Sequence, residues 1–187
     1  MSGMTNKRQN RGVTMIEMAI VMTLVAILAM IAVPSFKYVT SSNRAAQEVN
    51  ALLGDMRYAR TEAIKEGAPV TVCASADGLT CSGSTQWKAG WIVFADANGN
   101  HVVDVNEPIL RVQKSLAIEF NSNDSFQATL PLKWVVFNRE GFGPTGLVAT
   151  TNVALHDPTN NNNFTRCVAV TILGLVSTAK FGVGGCI

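Results

Sequence analysis

From residue 13 to residue 33 the chain carries a single charged side chain, Glu17, in 21 otherwise apolar or hydroxylated positions. No other feature restricts the possible folds so much. A helix of about 20 apolar residues spans the hydrocarbon of a bilayer. A segment of this kind has two stable surroundings, lipid or other apolar helices, because its side chains have no favourable contact with water. The twelve residues before it contain Lys7, Arg8 and Arg11 and no acid. A basic flank stays in the cytoplasm, which puts the C-terminal body on the far side of a single membrane crossing. The apolar run is longer than a secretory signal core and ends Ala32-Val33-Pro34-Ser35-Phe36, without a small-x-small cleavage site. The segment is therefore expected to stay in the mature chain.

Glu17 requires a physical reason. A carboxylate at the centre of a membrane helix costs about 2.5–3.5 kcal/mol, less near an end, and such residues usually have a partner. A cut between Gly12 and Val13 creates an α-ammonium one helical turn before Glu17. The pair forms within a subunit or between neighbours. Between neighbours it sets axial register among contacts that are otherwise apolar and non-directional. The plainer reading is a glutamate tolerated in the interfacial zone of the membrane.

Charge bears on partners. The formal net charge is +2, but removing the three cations of residues 1–12 leaves twelve basic against thirteen acidic residues, a net of −1. A nearly neutral body is a poor nucleic-acid surface, since that binding rests on Lys and Arg neutralising phosphates. Cys73, Cys81, Cys167 and Cys186 show no CxxC spacing, and His101 and His156 lie far from them in sequence, so no zinc site is expected. Behind a membrane segment an even cysteine count points to an oxidising compartment. Local pairing, Cys73 with Cys81 and Cys167 with Cys186, is favoured, although four cysteines allow three connectivities. No GxSxG, P-loop or HExxH motif is present, neither histidine has a recognised nucleophile spacing, and no catalytic residue or cofactor is expected.

Pro34 is expected to kink or interrupt the helix. Beyond it Ala45/Ala46, Val49, Leu52/Leu53, Met56, Ala59 and Ala63 recur at spacings of three and four, giving one apolar stripe. Arg44, Glu48, Asp55, Arg57, Arg60, Glu62 and Lys65 fall on the other face, and Gly67-Ala68-Pro69 is a stop signal. The period then changes to strands over residues 69–73, 87–95, 109–112, 116–120, 134–137, 168–173 and 175–180, with residues 157–163 as an exposed Asn-rich loop. One long helix followed by short strands predicts an α+β fold, with an antiparallel sheet packed on the helix.

Gly12-Val13-Thr14-Met15-Ile16-Glu17 followed by a long apolar helix resembles the type IV prepilin cleavage motif, with Val13 where Phe is usual. Met56-Arg57-Tyr58-Ala59-Arg60-Thr61-Glu62-Ala63-Ile64, Pro69-Val70-Thr71-Val72-Cys73, Gly90-Trp91-Ile92-Val93-Phe94 and Asp96-Ala97-Asn98-Gly99 narrow the likeness to GspH/FimT-type minor pilins and pseudopilins. The likeness covers residues 1–115 and is thin after Leu116 until the Cys167 and Cys186 ending. It implies a pilin-like fold in three parts: a leader (1–12), a membrane and filament-core helix (13–35) and a periplasmic globular domain (36–187). It implies cleavage after Gly12 by a prepilin peptidase, N-methylation of Val13, an assembly role for Glu17, and a place in the inner membrane before assembly with other pilins or pseudopilins. The expected function is that of a minor type IV pilus subunit, the alternatives being a type II secretion pseudopilin, a DNA-uptake pilin, or a membrane-anchored binding module that never assembles.

Two further motifs carry possible chemistry. DNA-binding relatives resemble one another in a Gly-Arg-x-Arg loop, where this chain has Gly174-Leu175-Val176-Ser177, so DNA is not an expected partner. Asp96, Asn98, Asn100, Asp104 and Glu107 occupy positions 1, 3, 5, 9 and 12 of an EF-hand-like calcium loop, with Val102 offering a carbonyl. Position 6 is His101 rather than Gly and the flanks read as strands. A hairpin turn is the expectation there, with no metal.

Overall fold

The structure is a computed structural model that describes residues 12–114, 125–128, 133–143, 151–156, 162–184 and 186. The leader up to residue 11, the strand expected over 116–120 and residues 157–161 of the Asn-rich loop lie outside it. The chain divides into two units, Met1–Thr40 and Ser41–Ile187.

Helix α1 (Met15–Glu66) is continuous over 52 residues. Of the kink or interruption expected at Pro34, the interruption does not occur. A proline removes one backbone bond and crowds one carbonyl, a cost of about 3 kcal/mol. That penalty is local, and the intact turns on either side hold the backbone helical. The helix stops where the sequence places the stop, with Gly67 in the left-handed region at φ 66°, which a side chain would disfavour.

Among the described residues eight strands follow: β1 (Val70–Ala74), β2 (Gly90–Ala95), β3 (Ile109–Lys114), β4 (Ser125–Ala128), β5 (Trp134–Phe137), β6 (Thr151–His156), β7 (Arg166–Val170) and β8 (Val176–Lys180). They form two four-stranded sheets in the orders β3-β2-β1-β5 and β4-β6-β7-β8, with every pairing antiparallel. The fold is α+β as expected, but with two sheets in place of one. Strands β4 and β6 have no counterpart in the sequence reading. The six residues of β6 alternate Val153 and Leu155 toward the helix with the small Ala154 toward the other face, so they lack a strong apolar run.

The helix stripe is buried as its period requires. Val49 is 2% exposed and Leu52, Met56, Ala59 and Ala63 are fully buried. They share a core with Val70, Val72, Trp91, Val93, Val135 and Phe137 of the first sheet and Val153, Leu155, Val168, Val170 and Val176 of the second. The first sheet is covered on its outer face too, by a cluster of Cys73, Ile92 and Phe94 with Val103, Ile109 and Trp134 against them. Double coverage is why β1, which alternates in sequence, is buried at every position including Thr71, and why β2 reads as a nearly continuous apolar run.

The polar face of the helix is not wholly solvated. Asp55 is buried, accepting a hydrogen bond from Trp91 Nε1 (2.8 Å) and one from Arg111 (2.9 Å). The Arg111 guanidinium also lies 3.9 Å from the centre of the Tyr58 ring. Arg57 donates to the Val176 carbonyl (3.2 Å) and Arg60 to the Gly141 carbonyl (2.9 Å). The covered face is therefore wider than the stripe suggests, because two sheets flank it.

Leu52→Ala should cost about 2–5 kcal/mol through a cavity in the shared core. Asp55→Ala should cost about 1–3 kcal/mol by leaving the Trp91 indole N–H without its acceptor. Urea unfolding of the two variants, followed by tryptophan fluorescence, measures both.

Candidate assembly site

Residues 12–14 precede the helix, and Thr14 caps it. The Glu17 backbone N–H donates to Thr14 Oγ1 at 3.3 Å, and the Thr14 backbone N–H donates to a Glu17 carboxylate oxygen at 3.5 Å. This is a reciprocal capping box, in which two otherwise unpaired N-terminal amides find acceptors. It directs the Glu17 carboxylate toward the start of the helix, the end where Val13 lies. Thr14 was missed as a functional residue in the sequence reading. The signal was present, since Thr-x-x-Glu before an apolar run is the mark of such a cap.

Two absences of constraint help define the segment. An added Cβ at Gly12 meets nothing within 4 Å, and its backbone is outside the left-handed region, so neither packing nor conformation in this chain calls for glycine there. Residues Met15–Val33 are long and apolar enough to cross a membrane, and none of that segment is buried by the rest of the chain. Exposure reaches 92% at Met15 and 77% at Met30, and apolar side chains point outward all round. Thr23, a polar group within the span, donates its hydroxyl to the Ile20 carbonyl (2.8 Å) and so needs no outside partner.

The remaining candidates lie in the second unit. Cys73 is bonded to Cys81 and Cys167 to Cys186, with no cysteine left free. The first bridge closes a turn organised by Asp77, whose carboxylate accepts from the backbone N–H groups of Leu79 and Thr80 at 2.8 Å each. Those donors hold its carboxyl well below the usual carboxylate range. His101 sits 3.1 Å from Asp96 Oδ2 and stacks on Trp134 at 4.5 Å, while the side chain of His156 lies outside the described residues. Among the described residues no three His, Cys, Asp or Glu side chains gather as a metal-binding group by themselves. At the β7–β8 turn Leu175 and Ser177 are exposed and carry no charge. The cations nearest in sequence, Arg166 and Lys180, face each other across β7 and β8, and Arg166 is engaged by the carbonyls of Asn163 (2.8 Å) and Thr165 (3.0 Å), while the cation that reaches the turn in space, Arg57, donates to the Val176 carbonyl (3.2 Å).

An apolar N-terminal helix beginning at a Gly-x-Thr-x-x-Glu segment and continuing into a body of antiparallel sheets defines a type IV pilin-like subunit. Comparison with known proteins makes the class more specific. Residues 7–33 match the prokaryotic N-terminal methylation motif, and residues 48–174 match the family described as type II transport protein GspH. The chain belongs to the GspH family, whose members are structural pilin and pseudopilin subunits that assemble with other pilin subunits and are not enzymes. Two crystal forms of the type IV minor pilin FimU of Pseudomonas aeruginosa share its fold at 18% identity, with TM-scores of 0.51 and 0.54. These matches cover 72% and 77% of this chain and 90% and 92% of FimU. The minor pseudopilin EpsH of the Vibrio cholerae type 2 secretion system matches at 11% identity and a TM-score of 0.51, over 74% of this chain and 98% of EpsH. No curated protein matches the sequence.

Breaking the Cys167–Cys186 bridge should destabilise the body more than breaking Cys73–Cys81. The separations are 19 and 8 residues. Loop-closure entropy then favours the longer bridge by ~0.8 kcal/mol. Denaturation of the two paired Cys→Ser variants tests the order.

Proposed function

We propose that this chain is a minor structural subunit of a type IV pilus and enters the filament by its N-terminal helix. The observation that carries this reading is the span Met15–Val33, apolar on every side and uncovered by its own chain, with its one acid in the first turn. Leader residues 1–12 hold the precursor in the inner membrane with the body, residues 36–187, in the periplasm. A prepilin peptidase cuts after Gly12, where glycine serves the enzyme rather than the fold, and the new Val13 amine is methylated.

Moving the helix from lipid to a bundle of like helices changes its apolar contacts little, since lipid tails are as apolar as leucine. Directionality must come from elsewhere. The Glu17 carboxylate, turned by Thr14 toward the helix start, pairs with the ammonium of Val13 in its own or a neighbouring subunit and sets the axial register. The similarity to FimU supports a pilus. A second reading, a minor pseudopilin of a type II secretion system, draws on the family description and on the similarity to EpsH. A DNA-uptake role draws no support from the uncharged Leu175 and Ser177.

In the native host, Glu17→Ala should lower the amount of this subunit in sheared filaments about tenfold or more, the effect of losing ~1.4 kcal/mol, at an unchanged membrane level. Immunoblotting of both fractions measures it, and equal incorporation of variant and wild type would falsify the assembly role of Glu17. Deleting the gene distinguishes the two readings: loss of surface pili supports the first, and loss of exoprotein secretion with pili intact supports the second.

A further inference from the structure

The loop between β2 and β3 carries a set of oxygen donors that assembly through the helix leaves unused. Asp96, Asn98, Asn100, Asp104 and Glu107 stand at positions 1, 3, 5, 9 and 12 of a twelve-residue loop, and the carbonyl of Val102 falls at position 7. In the structure their head groups are already drawn inward. The amides of Asn98 and Asn100 both donate to Asp104 Oδ2, at 2.8 and 2.9 Å. Glu107 folds back to accept from the Asp104 backbone N–H (3.3 Å). A shallow depression is lined by Ala97, Asn98, Asp104, Val105, Asn106 and Glu107.

A separate observation points to a ligand. The Asp96 side chain is fully buried, and its two oxygens are treated differently. Oδ2 takes the Thr71 hydroxyl (2.7 Å), the His101 backbone N–H (3.2 Å) and His101 Nδ1 (3.1 Å). Oδ1 is buried with no partner. The two bonds to His101, in mid-loop, hold this carboxylate against the loop. A buried, unpartnered carboxylate oxygen is costly unless a cation or donor meets it. Among the described residues, His101 is the one basic side chain in contact with the three carboxylates of this loop.

We infer that residues 96–107 bind a calcium ion, with Asp96, Asp104 and Glu107 as charged ligands and Asn98, Asn100 and the Val102 carbonyl as neutral ones. In the structure the three carboxylates do not gather by themselves, so binding has to draw them together. An amide oxygen has two lone pairs, so Asn98 and Asn100 can keep their bonds to the Asn100 and Val102 N–H groups while their oxygens turn to the ion. Six oxygen ligands on a pliable loop suit calcium better than magnesium, which demands near-ideal octahedral geometry and retains its waters. His101 takes the left-handed conformation (φ 63°) at the position where such loops carry glycine. Its ring stacks on Trp134, so an ion here fastens the loop over the outer face of the first sheet. With the affinity usual for extracellular modules, the loop fills outside the cell, where calcium is abundant, and stays empty before export.

The test uses the full chain in detergent micelles, stripped with EDTA and titrated with calcium chloride or magnesium chloride. Calorimetry should show one calcium site with a dissociation constant of roughly 10⁻⁵ to 10⁻³ M. Saturating calcium should raise the Tm and change tryptophan emission, and equal magnesium should do neither. Glu107→Gln and Asp104→Asn lie at the rim of the loop and should weaken binding about tenfold or more, each compared with its own calcium-free Tm because Asp104 also accepts from Asn98 and Asn100. Asp96→Asn disturbs a buried group, so the two rim variants decide the matter. No heat and no Tm shift up to about 10 mM calcium overturns the inference. So does an equal response to magnesium, and so do rim variants that bind as tightly as the wild type. The outcome is independent of whether the chain enters a pilus or a pseudopilus.

Discussion

Apolar surface has to be covered, and helix α1 meets that demand differently along its 52 residues. Between Met15 and Val33 none of it is covered by the chain itself. Between Val49 and Ala63 every third or fourth side chain is sealed against sheet residues. The first stretch is stable only in lipid or among other helices. The second makes the globular unit possible, because both sheets converge on one row of five side chains. Function follows from that division: one part of the helix is committed to this chain and the other is left for a membrane or a filament.

Within the body, polar groups reinforce what apolar burial begins. Asp55 ties the helix to Trp91 of β2 and Arg111 of β3, while Arg57 and Arg60 reach carbonyls at Val176 and Gly141. Each bond has a helix side chain as one partner and a residue at least 36 positions away as the other. Such bonds add direction to a core that dispersion and hydrophobic burial alone would hold less specifically. The two disulfides act elsewhere, one beneath the outer face of the first sheet and one on the outer face of the second.

The limits of the sequence reading are physical. The stripe from Val49 to Ala63 was legible because helical periodicity is local, and so was the stop at Gly67. The membrane-length helix was legible because composition alone defines it. The passage of the helix through Pro34 was not, since the sum of neighbouring turns outweighs one residue's preference. Strand β6 escaped notice because its alternation includes Ala154 and Asn152, which become informative only when Cys167 and its partner strand lie beside them. Glu17 stood out at once as a charge among apolar residues. Its bond to Thr14 required attention to a cap that the membrane argument had overshadowed.

Taken alone, the chain of residues determined the class of protein. A basic N-terminal stretch, Gly12, Glu17 and an apolar run of membrane length are read without folding, because each is a local feature of the chain. Tertiary structure alone decided that the strands divide into two sheets, that Asp55 is a buried anchor rather than a solvated charge, and that one oxygen of Asp96 lies buried without a partner. Those facts depend on contacts between residues far apart in sequence, where burial turns an ordinary carboxylate into either a clamp or an unmet demand for a cation.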